Sequence, residues 1–403
     1  MRIRLSGSIG FAFSIWALAP AIGPNHAQSV LPSGSAPEVR LVPPPGFDND
    51  SKAFRDLFEH PEQWELARSR IDSIGYYDHR VNQFSDQELT DWFAMIQVWD
   101  KKFFIETGAV NEWCTTGQAC FDAIHPLWDR FLSLGAKIDA FCMDEPYFKA
   151  LNFGLGNREY AVEQVADWIR LIRLNYPDIA VGSIEPYPSV SRIDLENWIV
   201  ELDNKCAQLG VRGLDFFCVD PDWRRFPSDG RWSQVKVLED FCKARGLPFS
   251  LIYWAADRPL STEDRDWYER TLAQGEAYRQ VRGQPDEYDI QSWLAIPSQS
   301  IPEYGPNTLT RTLNDFYTRI VSQPLPTVTE TFTPSHTYTP TSTPTRTPTV
   351  TPTHTNSSTP TLTPTRTPFT TDIDGNGRVD EEDLLILLKD WGLTSGPNRI
   401  ENR

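Results

Sequence analysis

Nowhere in these 403 residues does an apolar run reach the length of a membrane span. The strongest stretch, Ile9 to Ile22, is interrupted by Pro20 and closed by Gly23 and Pro24, well short of the roughly 20 apolar residues a crossing helix needs. Basic charge is also scarce: 38 Lys and Arg against 55 Asp and Glu leave a net charge of -17. No basic stripe is available to displace counterions, so neither nucleic acid nor an anionic membrane is an expected partner. The 6 His contain no HExxH pair, and Cys114 with Cys120 lacks the second half of a zinc site. A GxSxG elbow and a GxxxxGK loop are both missing, which argues against serine-hydrolase and phosphate-loop chemistry. No glycine-rich turn follows the first strand-like run, as a dinucleotide site would require.

What is present divides the chain into parts. Met1 to Ala27 has Arg2 and Arg4 ahead of the apolar run and small residues at Ala19, Ala21 and Ala27. That order is expected of a secretory signal, and hence of a secreted or cell-surface protein. An oxidising compartment permits disulfides. Cys114 and Cys120 bracket a short polar loop and are candidates for a local bridge, although connectivity is not read from spacing. Cys142, Cys206, Cys218 and Cys242 fall on apolar faces or in strand-like runs and are expected to be buried thiols.

Between residues 28 and 324, apolar runs alternate with helical periodicity. The runs are EVRLVPPP from Glu38, SIGYY from Ser73, KFFIETG from Lys102 and KIDAFCMDEP from Lys137. They continue as DIAVGSIEPYP from Asp178, LDFFCVDPDW from Leu214, PFSLIYWAAD from Pro248 and YDIQSWLAIP from Tyr288. Leu195, Trp198, Ile199, Leu202, Cys206 and Leu209 illustrate the helical spacing between them. Continuous apolar runs suit buried parallel strands, and eight strand–helix repeats predict a (β/α)8 barrel rather than an open doubly wound sheet.

Residues 325–371 are a Thr/Pro/Ser tract with too little apolar surface to offset the entropy of ordering it, so an extended spacer is expected. Residues 372–403 open with the sharpest motif in the chain. Asp372, Asp374, Asn376, Arg378 through its carbonyl, Asp380 and Asp383 occupy the oxygen-donor positions of a twelve-residue Ca2+ loop, with Gly377 at the sharp turn. A leucine-rich stretch, Leu384 to Leu388, follows directly. The register resembles the dockerin repeat of EF-hand type. That resemblance implies a cohesin-bearing scaffold or cell surface as partner. Dockerins usually carry two such repeats and this chain has one, with Glu381 and Glu382 at the positions that guide partner choice.

Barrel, linker and dockerin-like tail together resemble modular bacterial glycoside hydrolases, which implies a polysaccharide or oligosaccharide substrate. Glycosidic cleavage needs a carboxylic acid to protonate the leaving oxygen and commonly a second carboxylate. Asp144-Glu145-Pro146, ending the fourth run, resembles the Asn-Glu-Pro setting in which the barrel superfamily of retaining glycosidases carries its acid/base, making Glu145 the candidate donor. That superfamily carries its nucleophile on the seventh strand, where only Asp257 is available here. The adjacent Asp144 and Glu145 also resemble the pair of barrel enzymes acting on N-acetylated hexosamines, in which the Asp orients the substrate's acetamido group. Glu185 on the fifth run is a further catalytic candidate, and Glu106 and Asp220 are other strand-end acids. Trp113, Tyr147, Tyr187, Trp223, Trp254 and Trp293 are candidate sugar-stacking residues, supported by an aromatic content of 12% with 14 Trp. The seventh-strand departure keeps open a second class, a carbohydrate-binding or surface-assembly protein with a degenerate barrel.

Overall fold

All eight apolar runs form strands. The computed structural model describes residues 36–46, 50–225, 231–255 and 262–326. Its strands are β1 (Glu38–Val42), β2 (Ser73–Tyr77), β3 (Lys102–Thr107), β4 (Ala140–Asp144), β5 (Ala180–Tyr187), β6 (Phe216–Pro221), β7 (Phe249–Tyr253) and β8 (Glu287–Gln291). Each pairs in parallel with its neighbour in chain order, and β1 closes on β8, setting Glu38 beside Glu287 and Val42 beside Gln291. The chain therefore forms the closed (β/α)8 barrel that the repeat count predicts. The expected signal segment, the calcium loop, Asp257 and all but the first residues of the Thr/Pro tract lie outside the described residues. No helix among the described residues is long and apolar enough to cross a membrane.

Helices α1 (Lys52–Glu59) and α2 (Glu65–Arg70) follow β1, and α3 (Asp78–Val81) and α4 (Asp86–Val98) follow β2. Then come α5 (Gly117–Ser133), α6 (Pro146–Asn152), α7 (Arg158–Asn175), α8 (Arg192–Gln208), α9 (Arg231–Ala244), α10 (Asp264–Gln280) and α11 (Leu309–Phe316). Several start where a short polar side chain can take up an orphan amide. Ser85 and Glu88 form a reciprocal capping box on α4, while Thr116, Asn157, Ser191 and Thr308 cap α5, α7, α8 and α11.

Strand residues alternate between two cores, as a period of two requires. Phe103, Ile105, Phe141, Met143, Val181, Phe217 and Leu251 belong to the outer core under the helices. Phe104, Cys142, Ile184, Cys218, Ile252 and Trp254 form a smaller cluster inside the barrel. The outer core also takes much of the Trp content. Trp64, Trp128, Trp168, Trp198 and Trp267 are among the largest fully buried side chains, so the abundance of Trp reflects helix-to-barrel packing and is no guide to sugar binding. Trp128, for example, meets Trp168 edge-on at 5.9 Å and Phe141 at 4.4 Å. Cys114 and Cys120 are bonded, which decides the open pairing, and the other four cysteines are the buried thiols expected.

The barrel interior is polar at one level. Arg40 of β1 is 2% exposed, and its Nη2 lies 2.7 Å from Glu287 Oε2 while its Nε lies 3.1 Å from Asp289 Oδ2, both acids on β8. Cys142 Sγ and Ser250 Oγ accept further guanidinium hydrogen bonds, and the Phe104 ring sits 4.6 Å from the guanidinium carbon. Gly75 leaves the space this requires: a Cβ there would stand 2.7 Å from Val42 and 3.2 Å from the Arg40 side chain.

Candidate active site

Counting in twos from the interior cluster gives the residues at the carboxyl ends of the strands. Phe104 leads to Glu106, Cys142 to Asp144, Cys218 to Asp220 and Asp289 to Gln291. These four, with Glu145, Ile184, Ile252 and Trp293, line a cavity of about 300 Å³. It opens where strands end, the face on which barrel enzymes carry their chemistry.

Glu145 reaches the cavity by a different route. It is the first residue beyond β4, and strand parity alone would turn it away from Asp144. Its backbone instead takes a left-handed conformation with φ 49, which turns the chain sharply before Pro146 begins α6. The Glu145 amide donates to the Ile184 carbonyl at 3.1 Å, and its carbonyl accepts from the Lys149 amide at 2.9 Å. The turn is thus tied to β5 on one side and to its own helix on the other. A non-glycine residue in this region carries a backbone cost of about 1–2 kcal/mol, a pattern that clusters at functional sites.

Burial, and then the negative charge of Asp144, push the Glu145 carboxyl up to about 7, with Lys149 opposing. Asp144 itself is ion-paired with Lys149, one turn into α6. Burial lifts Glu106 well above the usual carboxylate range, and Asp144 adds to the effect. Gln291 Nε2 donates to Glu106 Oε2 at 2.8 Å. Asp220 is raised in the same way by burial and by Glu145, while the Trp254 indole stabilises its charged form. Two buried acceptors, Asp220 Oδ1 and Gln291 Oε1, have no hydrogen-bond partner among the described residues. Orphaned buried acceptors of this kind suit a ligand that brings donors, such as hydroxyl groups. Among the described residues no three His, Cys, Asp or Glu side chains are grouped to hold a metal ion.

The structure separates the remaining candidates. Glu185 follows Ile184 on β5 and so faces the helix layer. It is fully buried, and its two carboxylate oxygens accept from the amides of Tyr147 at 2.9 Å and Phe148 at 3.1 Å. Burial raises it well above the ordinary range, against the pull of those two amides. Its place is to anchor the start of α6, and it does not line the cavity. Tyr147 is buried in a stack on Trp198 at 4.9 Å and accepts a hydrogen bond from Arg158 Nε at 2.9 Å. Tyr187 is buried too, so neither tyrosine presents a ring to a sugar. Trp293 lines the cavity, and Trp254 is buried against it with ring centres 3.9 Å apart. Trp223 is half-buried, beside Trp232 at 6.4 Å. Sequence reasoning missed Gln291 and ranked Glu106 and Asp220 below Glu185. The signal that finds them is strand parity.

No family model matches the chain, and no curated protein resembles it. Solved structures with a related outline include D-psicose 3-epimerase in the presence of D-fructose, at 12% identity over 70% of this chain and 98% of that one, with a TM-score of 0.41. A thermostable mutant of a xylanase from Cellvibrio japonicus follows, at 10% identity over 64% of this chain and 87% of that one, also at 0.41. Pyruvate carboxylase of Rhizobium etli gives 13% identity and a TM-score of 0.39, and the chain spans 21% of its length. These similarities concern barrel architecture alone; the closed barrel rests on its own strand pairing.

Proposed function

We propose that this barrel hydrolyses O-glycosidic bonds in a polysaccharide or oligosaccharide, with Glu145 as the proton donor. The observation that carries this reading is a carboxyl raised to about 7 on a cavity wall shared with two unsatisfied acceptors and Trp293. A general acid works best when its pKa lies near the working pH. Burial and a neighbouring carboxylate give Glu145 that property.

The acids at the strand ends support one route of attack on the sugar's anomeric carbon. β7 ends at Tyr253 and is followed by Trp254 and Ala255, and among these described residues no carboxylate reaches the cavity. Asp144, ion-paired with Lys149 beside Glu145, favours a substrate-assisted route in which Asp144 orients an acetamido group and Glu145 protonates the leaving oxygen. Asp220, across the cavity, is the alternative group for positioning a water.

The test is reducing-sugar release by the full chain from neutral plant, algal and chitin-type glycans and from polyuronates. Neutral or N-acetylated glycans are expected to be cleaved, and polyuronates at least about tenfold more slowly, because a cavity that already disfavours the ionised forms of Glu106, Glu145 and Asp220, beside the Asp144 charge, disfavours a further carboxylate on the sugar. Glycan binding without turnover would replace the hydrolase with the binding or surface-assembly protein. No binding at all would dismiss both.

The tail completes the proposed function. Asp372, Asp374, Asn376, Asp380 and Asp383 with the Arg378 carbonyl make an all-oxygen donor set, which is the chemistry Ca2+ takes. We propose that it binds Ca2+ and holds an exported enzyme to a cohesin-bearing scaffold or cell surface. Calorimetric titration of the full chain with Ca2+ is expected to show saturable binding that Asp372→Ala with Asp383→Ala abolishes. Equal binding by the variant would refute the loop assignment.

A further inference from the structure

Beside the central cavity lies a second one of about 420 Å³, lined among others by Tyr77, His79, Gly108, Asn111 and Trp113. Glu106 and Asp144 line both cavities, so the two share a wall at the ends of β3 and β4. Each falls within the usual size range of ligand clefts or extends a neighbour that does.

Trp113 is the unusual member. It is 56% exposed, unlike the many Trp of this chain packed under helices. Its loop is nevertheless held firmly. Asn111 and Cys114 exchange backbone hydrogen bonds at 2.9 and 3.1 Å, and Cys114 is bonded to Cys120 on α5. The Thr115 carbonyl accepts from the Tyr160 hydroxyl, and Thr116 caps α5. Gly108 lets the indole lie close: a Cβ there would stand 3.3 Å from Trp113 Cζ2. A large aromatic face held in solvent by a stapled loop is pre-organised for stacking, and little freedom remains to be lost on binding. His79, Asn111 and Glu106 around it offer polar edges for hydroxyl groups.

We infer that Trp113 is the platform of a second sugar subsite, so that the substrate is an oligosaccharide or polymer lying across both cavities. This rests on the proposed glycosidase reading, because the two cavities share the walls of its catalytic centre. The sugar in the central cavity meets Glu145, and a neighbouring unit of the same chain lies on Trp113. Cys114–Cys120 acts as a positioning device for that platform.

The experiment measures kcat/KM and affinity of the full chain on xylo-, cello- and chito-oligosaccharides of two to six sugars. In the parent, kcat/KM on the cleaved series is expected to rise with chain length. Trp113→Ala should cut that rise about three- to tenfold, the scale of an aromatic stacking contact. Cys114→Ser with Cys120→Ser should cut it partly, and Tyr304→Ala, exposed and outside both cavities, should keep the parent's profile. Thermal melts identify any variant that fails to fold; the pinning variant and the platform variant then test the same subsite separately. An unchanged length dependence in folded Trp113→Ala overturns the subsite. If the parent cleaves none of the oligosaccharides, the hydrolase reading is decided by the wider glycan panel and the subsite by calorimetric binding of the same probes. Loss of binding in Trp113→Ala then supports the subsite; equal binding, or none by the parent, overturns it.

Discussion

Glu145→Gln is expected to lower kcat on unactivated glycosides by about a hundred- to ten-thousandfold, the range for losing a general acid. The amide preserves the shape of the carboxyl but has no proton to give to the leaving oxygen. Two further readouts separate this role from a packing defect. In the parent, activity should fall as pH rises through about 7, since burial and the Asp144 charge hold the Glu145 proton until that point. The acid is competent below its pKa and spent above it, so the alkaline limb belongs to Glu145 and should vanish in the variant. Aryl glycosides with nitrated leaving groups need little protonation, so they should recover most of the lost rate. A variant equally slow on both substrates, or one that keeps the limb near 7, would assign the proton to another group.

Arg40→Met is expected to destabilise the barrel by about 3–5 kcal/mol, because it removes one partner of a buried ion cluster and strands the others. On a domain of this size that is a fall of about 10 °C in Tm. Burial already pushes Asp289 up to about 7 although Arg40 pulls against it, and without the guanidinium Asp289 rises further. A carboxyl raised above its unfolded value leaves stability intact below the unfolded pKa and takes it away as pH climbs through the folded one. The deficit of Arg40→Met should therefore be small near pH 4 and grow toward pH 8, measured by thermal or urea unfolding. A loss under about 1 kcal/mol that is equal at both pH values would show that the cluster contributes little to the fold.

The eight strands were legible because a parallel barrel buries both strand faces and so writes continuous apolar runs. The site was legible only in part. The tripeptide Asp144-Glu145-Pro146 stood out by its residue types, and the structure brings both acids to one cavity. Glu185 and Ile184 look alike in position, yet one residue of offset sends Ile184 into the cavity and Glu185 under α6. Parity decides between them, and parity is fixed by register, which a continuous apolar run does not display. Glu145 breaks even that rule, through a left-handed turn that no side-chain pattern announces. Tyr147 and Trp113 show the same limit for aromatics: both follow strand ends, but one is closed in by Trp198 and Arg158 while the other is held out in solvent.

The left-handed backbone at Glu145 has a consequence for anyone improving this protein. Glycine is the residue that this conformation accepts without penalty, and it would also remove a carboxyl from a site that disfavours its charge. A directed-evolution campaign scored on heat resistance alone would therefore drift toward replacing Glu145, discarding the proposed proton donor while stability assays improved. Libraries built on this barrel need a turnover screen at that position from the first round.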